Sequence, residues 1–143
     1  MGLMLLKLDD FKIYHSELVC CCQLLENDLK WIYSFITGCN IQQTRDSLDK
    51  ANMGRVIKIL KKIDIKGNKN IFSDEDYEYL LEIKDIRNYW CHQCYIDFLY
   101  KNNFRYTEEY SNASTRLISD HKRLHYVYKI VENIKLNLAK NNK

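Results

Sequence analysis

The sequence predicts an all-α protein: an antiparallel up-and-down four-helix bundle, formed as a single helical domain over residues 1–143. Three observations lead to this prediction. The chain has no proline and only four glycines, so little in it interrupts a helix. Two long stretches carry apolar residues at alternating steps of three and four. No stretch alternates polar and apolar residues with period two for long enough to predict a strand.

The first periodic stretch begins at Phe11 and predicts a long helix. Seven of its eight seam positions are apolar or aromatic, and Asp28 is the exception. Gly38 follows as a natural helix stop. The seam consists of Phe11, Tyr14, Leu18, Cys21, Leu25, Asp28, Ile32 and Phe35.

The second helix is predicted between residues 48 and 63, where apolar residues recur with helical spacing. Thr44 and Ser47 are both candidates for its N-cap, because a side-chain hydroxyl can accept a hydrogen bond from a free backbone N–H. Asn52 and Gly54 weaken the middle of this helix, since neither favours a helix interior.

The third helix is predicted to begin at Ser73. Ser73 and Asp76 have the spacing of a capping box, and Phe72 is placed to pack on Tyr77 as a hydrophobic staple. We expect this helix to continue to about Tyr100.

The fourth helix is predicted over the last periodic stretch, with Asp120 as the single exception in its seam. The two long helices at the ends of the chain are predicted to be capable of antiparallel packing. The last seam consists of Tyr110, Ala113, Leu117, Asp120, Leu124, Val127, Val131, Ile134 and Leu138.

Composition excludes several classes of protein. A content of 46% hydrophobic and 29% charged residues is typical of a globular protein rather than a disordered or fibrous one. The net charge of +3 permits a polyanionic partner without predicting one. The apolar run over residues 1–8 is too short to span a membrane and is closed by two aspartates without a cleavage site. We therefore expect a cytoplasmic location and no membrane association.

Six cysteines raise the question of metal or redox chemistry. Cys91 and Cys94 have C-x-x-C spacing, but a structural zinc site needs a second pair of ligands and a thioredoxin-like site needs a strand before its helix. Neither is predicted here. We expect free, mostly buried thiols, with no metal and no cofactor. The cysteines are Cys20, Cys21, Cys22, Cys39, Cys91 and Cys94.

Arg87, Asn88 and His92 form the most informative motif of the chain. A guanidinium can hold a phosphate with a planar fork of donors, and an imidazole exchanges a proton near neutral pH. These two groups are the minimum needed to cleave RNA without a metal. Each has a structural interpretation as well, as an ion pair for the arginine and a surface or packing residue for the histidine.

The helical position of Arg87 predicts that it needs a partner. At about 100° per residue, Arg87 falls in the middle of the apolar arc of its helix. A buried guanidinium left without a partner would cost several kcal/mol. Asp28 and Asp120 stand in the seams of the two long helices, and Glu26 lies near the edge of the first seam. We expect at least one of these three carboxylates to orient Arg87.

The run from Asp85 to His92, Asp-Ile-Arg-Asn-Tyr-Trp-Cys-His, resembles the R-x4-6-H motif of the HEPN superfamily (higher eukaryotes and prokaryotes nucleotide-binding domains). The polar Asn88 after the arginine also matches that pattern. The resemblance implies a metal-independent endoribonuclease that acts as a homodimer and serves as a toxin or phage-defence effector. One subgroup is paired with a nucleotidyltransferase antitoxin and has x-Tyr after the histidine, whereas Tyr95 here is displaced by one place.

The resemblance implies a role for each residue of the motif. His92 would act as general base or acid for attack by the ribose 2′-hydroxyl, and Arg87 would hold the phosphate and stabilise its developing charge. Asn88 would hydrogen-bond the phosphate or orient the imidazole. The alternative is a non-catalytic HEPN-like module that binds a nucleotide, RNA or a protein partner with the same helices.

Basic and aromatic residues outside the motif are candidates for RNA binding. Lys58, Lys61 and Lys62 form part of a basic run that could guide an RNA backbone, and Tyr95 could stack a base. A solvated helix face is the alternative interpretation of the lysines, and packing is the alternative for the tyrosine.

Overall fold

The computed structural model describes residues 5–38 and 40–141. These ranges contain helices and no strand, which confirms the predicted all-α class. Five α-helices and one 3-10 turn follow each other within these ranges. They are α1 (Leu8–Thr37), α2 (Ile41–Ser47), α3 (Met53–Lys66), α4 (Asp74–His92), the 3-10 turn (Phe104–Tyr106) and α5 (Glu108–Asn141).

The two long helices at the ends of the chain are confirmed as α1 and α5, but their relative direction is not the predicted one. The Tyr110 hydroxyl of α5 donates to the Leu6 carbonyl at 2.7 Å, just before α1. Further along, Lys135 Nζ donates to Asp28 Oδ1 at 2.8 Å. Residue numbers rise together along both helices, so α1 and α5 run parallel. An up-and-down bundle of four helices would make its first and last helices antiparallel, and that topology is therefore wrong for this pair.

The direction of α4 is opposite to that of its neighbours. His15 Nε2 lies 2.7 Å from the Trp90 carbonyl, and Glu26 lies opposite Arg87, so residue numbers fall along α4 as they rise along α1. The same ordering relates α4 to α3, because Asp64 near the end of α3 bonds to residues around the start of α4. One descending helix thus packs against ascending neighbours.

The chain between α1 and α3 differs from the prediction of one helix from residue 48. A short helix, α2, ends at Ser47, and α3 begins only at Met53. Asn52 is the N-cap, since its side chain accepts a hydrogen bond from Arg55 N at 2.9 Å. The prediction that Asn52 lies inside the helix is therefore wrong, because an asparagine that accepts from the N3 amide favours a helix start. Thr44 lies within α2 and caps neither helix.

The start of α4 is as predicted, and its end is not. Ser73 and Asp76 form the capping box, and the Phe72 and Tyr77 rings pack edge to face with centroids 5.4 Å apart. The helix ends at His92 rather than near Tyr100, because residues 93–100 form successive turns. The motif histidine is therefore the last residue of its helix.

The core is shared by α1, α3, α4 and α5, whose buried side chains form one cluster. Trp90 is 1% exposed, and its indole Nε1 donates to Asp120 Oδ2 at 2.8 Å. Gly38 stops α1 in a left-handed conformation with φ 62°, as the sequence predicted. None of the described helices is both long enough and apolar enough to cross a bilayer.

Candidate functional site

Arg87, Asn88 and His92 lie on the last two turns of α4. At about 100° per residue, the side chains of Arg87 and His92 leave the helix about 140° apart, and their Cα atoms are separated by about 7.5 Å along its axis. Asn88 lies between the two directions, only about 40° from His92. Arg87 therefore points toward the neighbouring helices, while Asn88 and His92 belong to the exposed face of α4.

The Arg87 guanidinium lies at the edge of the buried face rather than in its middle, where the sequence placed it. Its side chain is 29% exposed. One end faces α1, where Nη2 is 4.0 Å from Glu26 Oε2. The other end donates from Nη1 to Asn88 Oδ1 at 3.4 Å. The long distances leave donors of the guanidinium available to a ligand.

An open cleft of about 350 Å³ lies beside Arg87, between α4 and the start of α3. Lys84 adds a second cation, and its ammonium is 3.8 Å from the carboxylate of Asp85. Gly54 leaves room for the Lys84 side chain, since a Cβ there would lie 3.0 Å from Lys84 Cδ. The cleft is lined by Asn52, Met53, Gly54, Lys84, Asp85, Arg87 and Asn88.

His92 is exposed at the C-terminal end of α4 and does not line this cleft. Within residues 5–38 and 40–141 its imidazole forms no hydrogen bond or ion pair. Both ring nitrogens are therefore accessible from solvent, as a group that accepts or donates a proton must be.

Of the three carboxylates proposed to orient Arg87, only Glu26 forms an ion pair with it in the described part of the chain. Asp28 instead pairs with Lys135 at 2.8 Å. Asp120 accepts from Trp90 Nε1 at 2.8 Å and from Arg116 Nε at 3.3 Å. These two carboxylates fix α1 to α5 and α4 to α5, respectively.

The three lysines proposed to bind RNA do not share one environment. Lys58 and Lys62 are exposed on the outward face of α3. Lys61 is half-buried, and its ammonium lies 5.8 Å from the centroid of the Tyr77 ring. Lys61 thus covers a tyrosine of α4, whereas the other two face solvent.

Tyr95, the proposed base-stacking residue, is half-buried and packs against the core. Its ring lies 5.8 Å from that of Phe11 and 5.1 Å from that of His15. Burial raises the pKa of its hydroxyl. In this structure Tyr95 has a packing role.

Five of the six cysteines lie in the described residues, and all five are free. Cys39 falls outside those residues. Burial is the main cause that raises the pKa of the Cys22 thiol to about 12 and that of the Cys94 thiol to about 11. Cys91 is exposed one turn after Arg87 on the same side of α4. Cys91 does not line the cleft, but its position makes it a chemical probe of the surroundings of the motif.

No family model, curated protein or solved structure matches this chain. In the described residues, no group of three or more histidine, cysteine, aspartate or glutamate side chains is arranged to hold a metal ion. The site consists of an available guanidinium beside a cleft, with an accessible imidazole farther along the same helix.

The sequence did not single out Lys84 or the residues of α3 that complete the cleft. Lys84 lies three residues before Arg87, a spacing that places two side chains on neighbouring parts of a helix surface. Gly54 within an apolar helical pattern was a further signal, because a glycine there permits close approach of another element. Recognising that approach required knowing that α3 starts at Met53.

Proposed function

We propose that this chain is a metal-independent endoribonuclease of HEPN type that acts as a toxin or phage-defence effector. The observation that carries the proposal is the accessibility of the motif side chains. Arg87 borders an open cleft, and its guanidinium has N–H donors available to a ligand. Asn88 and His92 are exposed on the same helix. A structural ion pair would instead bury the guanidinium against its carboxylate.

The proposed reaction needs no nucleophile from the protein. An imidazole takes the proton of the ribose 2′-hydroxyl, and the 2′-oxygen attacks the adjacent phosphorus. The bond from phosphorus to the 5′-oxygen breaks, and an imidazolium donates a proton to that oxygen. The products are a 2′,3′-cyclic phosphate and a free 5′-hydroxyl. Arg87, with Lys84 nearby, stabilises the negative charge that accumulates on the phosphate oxygens.

A second copy of the chain completes this site in the proposal. One protomer supplies a single motif histidine, and that side chain diverges from Arg87 by about 140° around α4. Pairing of two exposed α4 faces about a two-fold axis brings the histidine of one copy toward the cleft of the other. Leu81, which is 41% exposed, lies on the same face as Asn88 and His92 and supplies apolar contact.

Arginine and histidine variants test the catalytic proposal. Purified Arg87→Ala and His92→Ala proteins are incubated with total RNA in EDTA and compared with the unaltered protein. We expect cleavage to fall by about 10²–10³-fold in each variant. Arg105→Ala and His125→Ala serve as matched controls outside the motif, with folding checked by circular dichroism. Unchanged cleavage in both motif variants would remove the assignment.

The dimer has its own test. Leu81→Glu places a charge on the proposed interface, and Leu136→Glu is the control, because Leu136 is a similarly exposed leucine on α5. We expect only Leu81→Glu to give a monomer by analytical ultracentrifugation and to lose RNA cleavage. A protein that is monomeric and fully active before any substitution contradicts the shared site.

A non-catalytic HEPN-like binding module is the second candidate, and the position of His92 favours it. His92 does not line the cleft beside Arg87, so one protomer does not bring both side chains to the same phosphate. On this alternative the same cleft binds a nucleotide, RNA or a protein such as an antitoxin. Expression in a bacterial host separates the two: a nuclease toxin arrests growth in a manner that requires Arg87 and His92, and a binding module does not.

The proposed setting is the cytoplasm, where RNA substrates are abundant and free cysteines remain reduced. An antitoxin, of nucleotidyltransferase type or another, is the expected protein partner of the toxin. Co-expression with the product of an adjacent reading frame tests this part, since an antitoxin restores growth.

A further inference from the structure

A continuous basic ridge runs along the outward face of α3. Four exposed cations occupy it at steps of three, four and four residues, which places their side chains within about 80° of one another around the helix. The opposite face of α3 is buried in the core through Met53, Val56, Ile57 and Leu60. The ridge consists of Arg55, Lys58, Lys62 and Lys66.

The positive charge of the chain is concentrated around this ridge. Residues 53–69 hold six cations and one acidic residue, so this segment carries +5 while the full chain carries only +3. The acidic residue, Asp64, is buried and accepts hydrogen bonds from Ile71 N, Phe72 N and the Tyr77 hydroxyl. In the described residues it forms no ion pair with the ridge cations, which lie on the opposite side of α3.

Within the described ranges, none of the four ridge cations forms an ion pair. Lys58, Lys62 and Lys66 follow each other at four-residue steps, where like charges destabilise a helix by about 0.2–0.5 kcal/mol per pair. The protein thus keeps an arrangement that costs stability when nothing anionic is bound.

The ridge starts at the cleft. Arg55 directly follows Gly54, which lines the cleft beside Arg87. From there the ridge extends about 17 Å along α3, at a rise of about 6 Å for each four-residue step. A strand whose phosphate lies in the cleft can continue along this line.

We propose that Arg55, Lys58, Lys62 and Lys66 bind consecutive phosphates of a single nucleic-acid strand on one side of the cleft. The evenly spaced cations suit a regularly repeated anion better than the irregular carboxylates of a protein. An anionic membrane is disfavoured because the apolar face of α3 is buried and cannot insert between lipids. That the cleft holds a phosphate of the strand rests on the proposed function. The ridge adds contacts to several further nucleotides of the same strand.

Binding of an uncleavable strand tests the ridge without requiring catalysis. The probe is a labelled single-stranded DNA of about 12 nucleotides, titrated by fluorescence anisotropy at several salt concentrations. The ridge variant carries Arg55→Gln, Lys58→Gln, Lys62→Gln and Lys66→Gln. The matched control carries Lys12→Gln, Lys122→Gln, Lys129→Gln and Lys140→Gln, which removes the same charge from other exposed positions.

We expect the ridge variant to bind the strand at least about tenfold more weakly than the unaltered protein. The slope of log K against log salt should become shallower by about 3, because each of the four phosphate contacts on a single strand contributes about 0.7. The control is expected to bind nearly as the unaltered protein does. Equal loss in both variants, no loss in either, or ridge-dependent binding to anionic vesicles in place of DNA overturns the proposal.

Cleavage measurements keep this proposal separate from the nuclease. A protein that binds DNA through the ridge and cleaves no RNA contradicts the proposed function but supports the ridge proposal. A protein that cleaves RNA with the same KM in the ridge variant contradicts the ridge alone. If the nuclease proposal and the ridge proposal are both correct, the ridge variant shows a raised KM for long RNA. Its rate on a dinucleotide is unchanged, because a dinucleotide does not reach the ridge.

Discussion

Glu26 and Arg87 join α1 to α4 at the border of the cleft, with Glu26 Oε2 4.0 Å from Arg87 Nη2. The separation is at the outer limit of an ion pair, and both side chains remain partly accessible. Such a pair contributes at most about 1 kcal/mol to stability. Its position suits a carboxylate that directs a guanidinium toward a substrate without occupying it fully.

Substitution of Glu26 tests this directing role. We predict that Glu26→Gln lowers the kcat of RNA cleavage by about tenfold, because a misdirected group loses transition-state contact. KM is expected to stay the same or fall, since a nearby negative charge is removed. The midpoint of urea denaturation should change little. A rise in KM with unchanged kcat contradicts a positioning role and indicates that Glu26 contacts the substrate.

The Asp28–Lys135 pair predicts an asymmetry between its two members. The Asp28 side chain is 4% exposed and its Oδ2 has no hydrogen-bond partner among the described residues, whereas Lys135 is 25% exposed and can reach water. Lys135→Ala is expected to cost about 3 kcal/mol in the free energy of unfolding at pH 7, because it leaves a buried carboxylate without its partner. Asp28→Asn is expected to cost less. Equal losses in urea denaturation would contradict the asymmetry.

The same pair predicts a pH dependence. Burial raises the pKa of the Asp28 carboxyl above its ordinary value of 3.8, although the Lys135 hydrogen bond lowers it. The folded state therefore binds the proton more tightly than the unfolded chain, and stability is lost as pH rises through the folded pKa. Without Lys135 this loss is larger, so the cost of Lys135→Ala should shrink as pH falls toward 4. Adding Asp28→Asn to Lys135→Ala should abolish that dependence.

Asp64 holds the loop before α4 in place. Its carboxylate accepts from two backbone amides and from the Tyr77 hydroxyl at 2.6 Å. We predict that Asp64→Ala lowers the free energy of unfolding by about 3 kcal/mol or more, because two buried donors and one partly buried donor lose their acceptor. Tyr77→Phe should cost about half as much. Thermal denaturation measures both, and an Asp64→Ala protein as stable as the unaltered one refutes this role.

Cysteine reactivity tests the surroundings of the motif. Burial raises the pKa of the Cys21 and Cys22 thiols to about 11 and about 12, so both remain protonated and shielded at pH 8. Cys20 and Cys91 are exposed. We predict that a maleimide labels these two before the buried thiols, as read by mass spectrometry, and that labelling at Cys91 blocks RNA cleavage. Cys91→Ser should keep activity after treatment, and a Cys20→Ser protein should still be inhibited.

The local signals in the sequence predicted more than its long-range arrangement. Ser73 with Asp76 fixed the start of α4, and Gly38 fixed the end of α1, because capping depends on residues a few positions apart. The parallel course of α1 and α5 could not be read in this way. Apolar periodicity shows which face of a helix is buried, and it is the same for either direction of the neighbouring helix.

The sequence shows the residues of the motif, whereas their surroundings depend on how the helices pack. The spacing from Arg87 to His92 was visible in the sequence, whereas the choice of Glu26 over Asp28 and Asp120 depends on which helices meet. Asp28 and Asp120 face α5 and α4 partners that periodicity alone does not assign. The contribution of Lys84 and Gly54 to the cleft likewise follows from the contact between α3 and α4.

The chemistry of the RNA ends tests the central claim most directly. An RNA oligonucleotide is incubated with the purified protein in EDTA, and the products are identified by mass spectrometry beside a matched oligonucleotide with 2′-deoxyribose at the cleaved position. Attack by the 2′-hydroxyl predicts a 2′,3′-cyclic phosphate and a 5′-hydroxyl from the first strand and no cleavage of the second. Cleavage of both strands, or of neither, contradicts the claim.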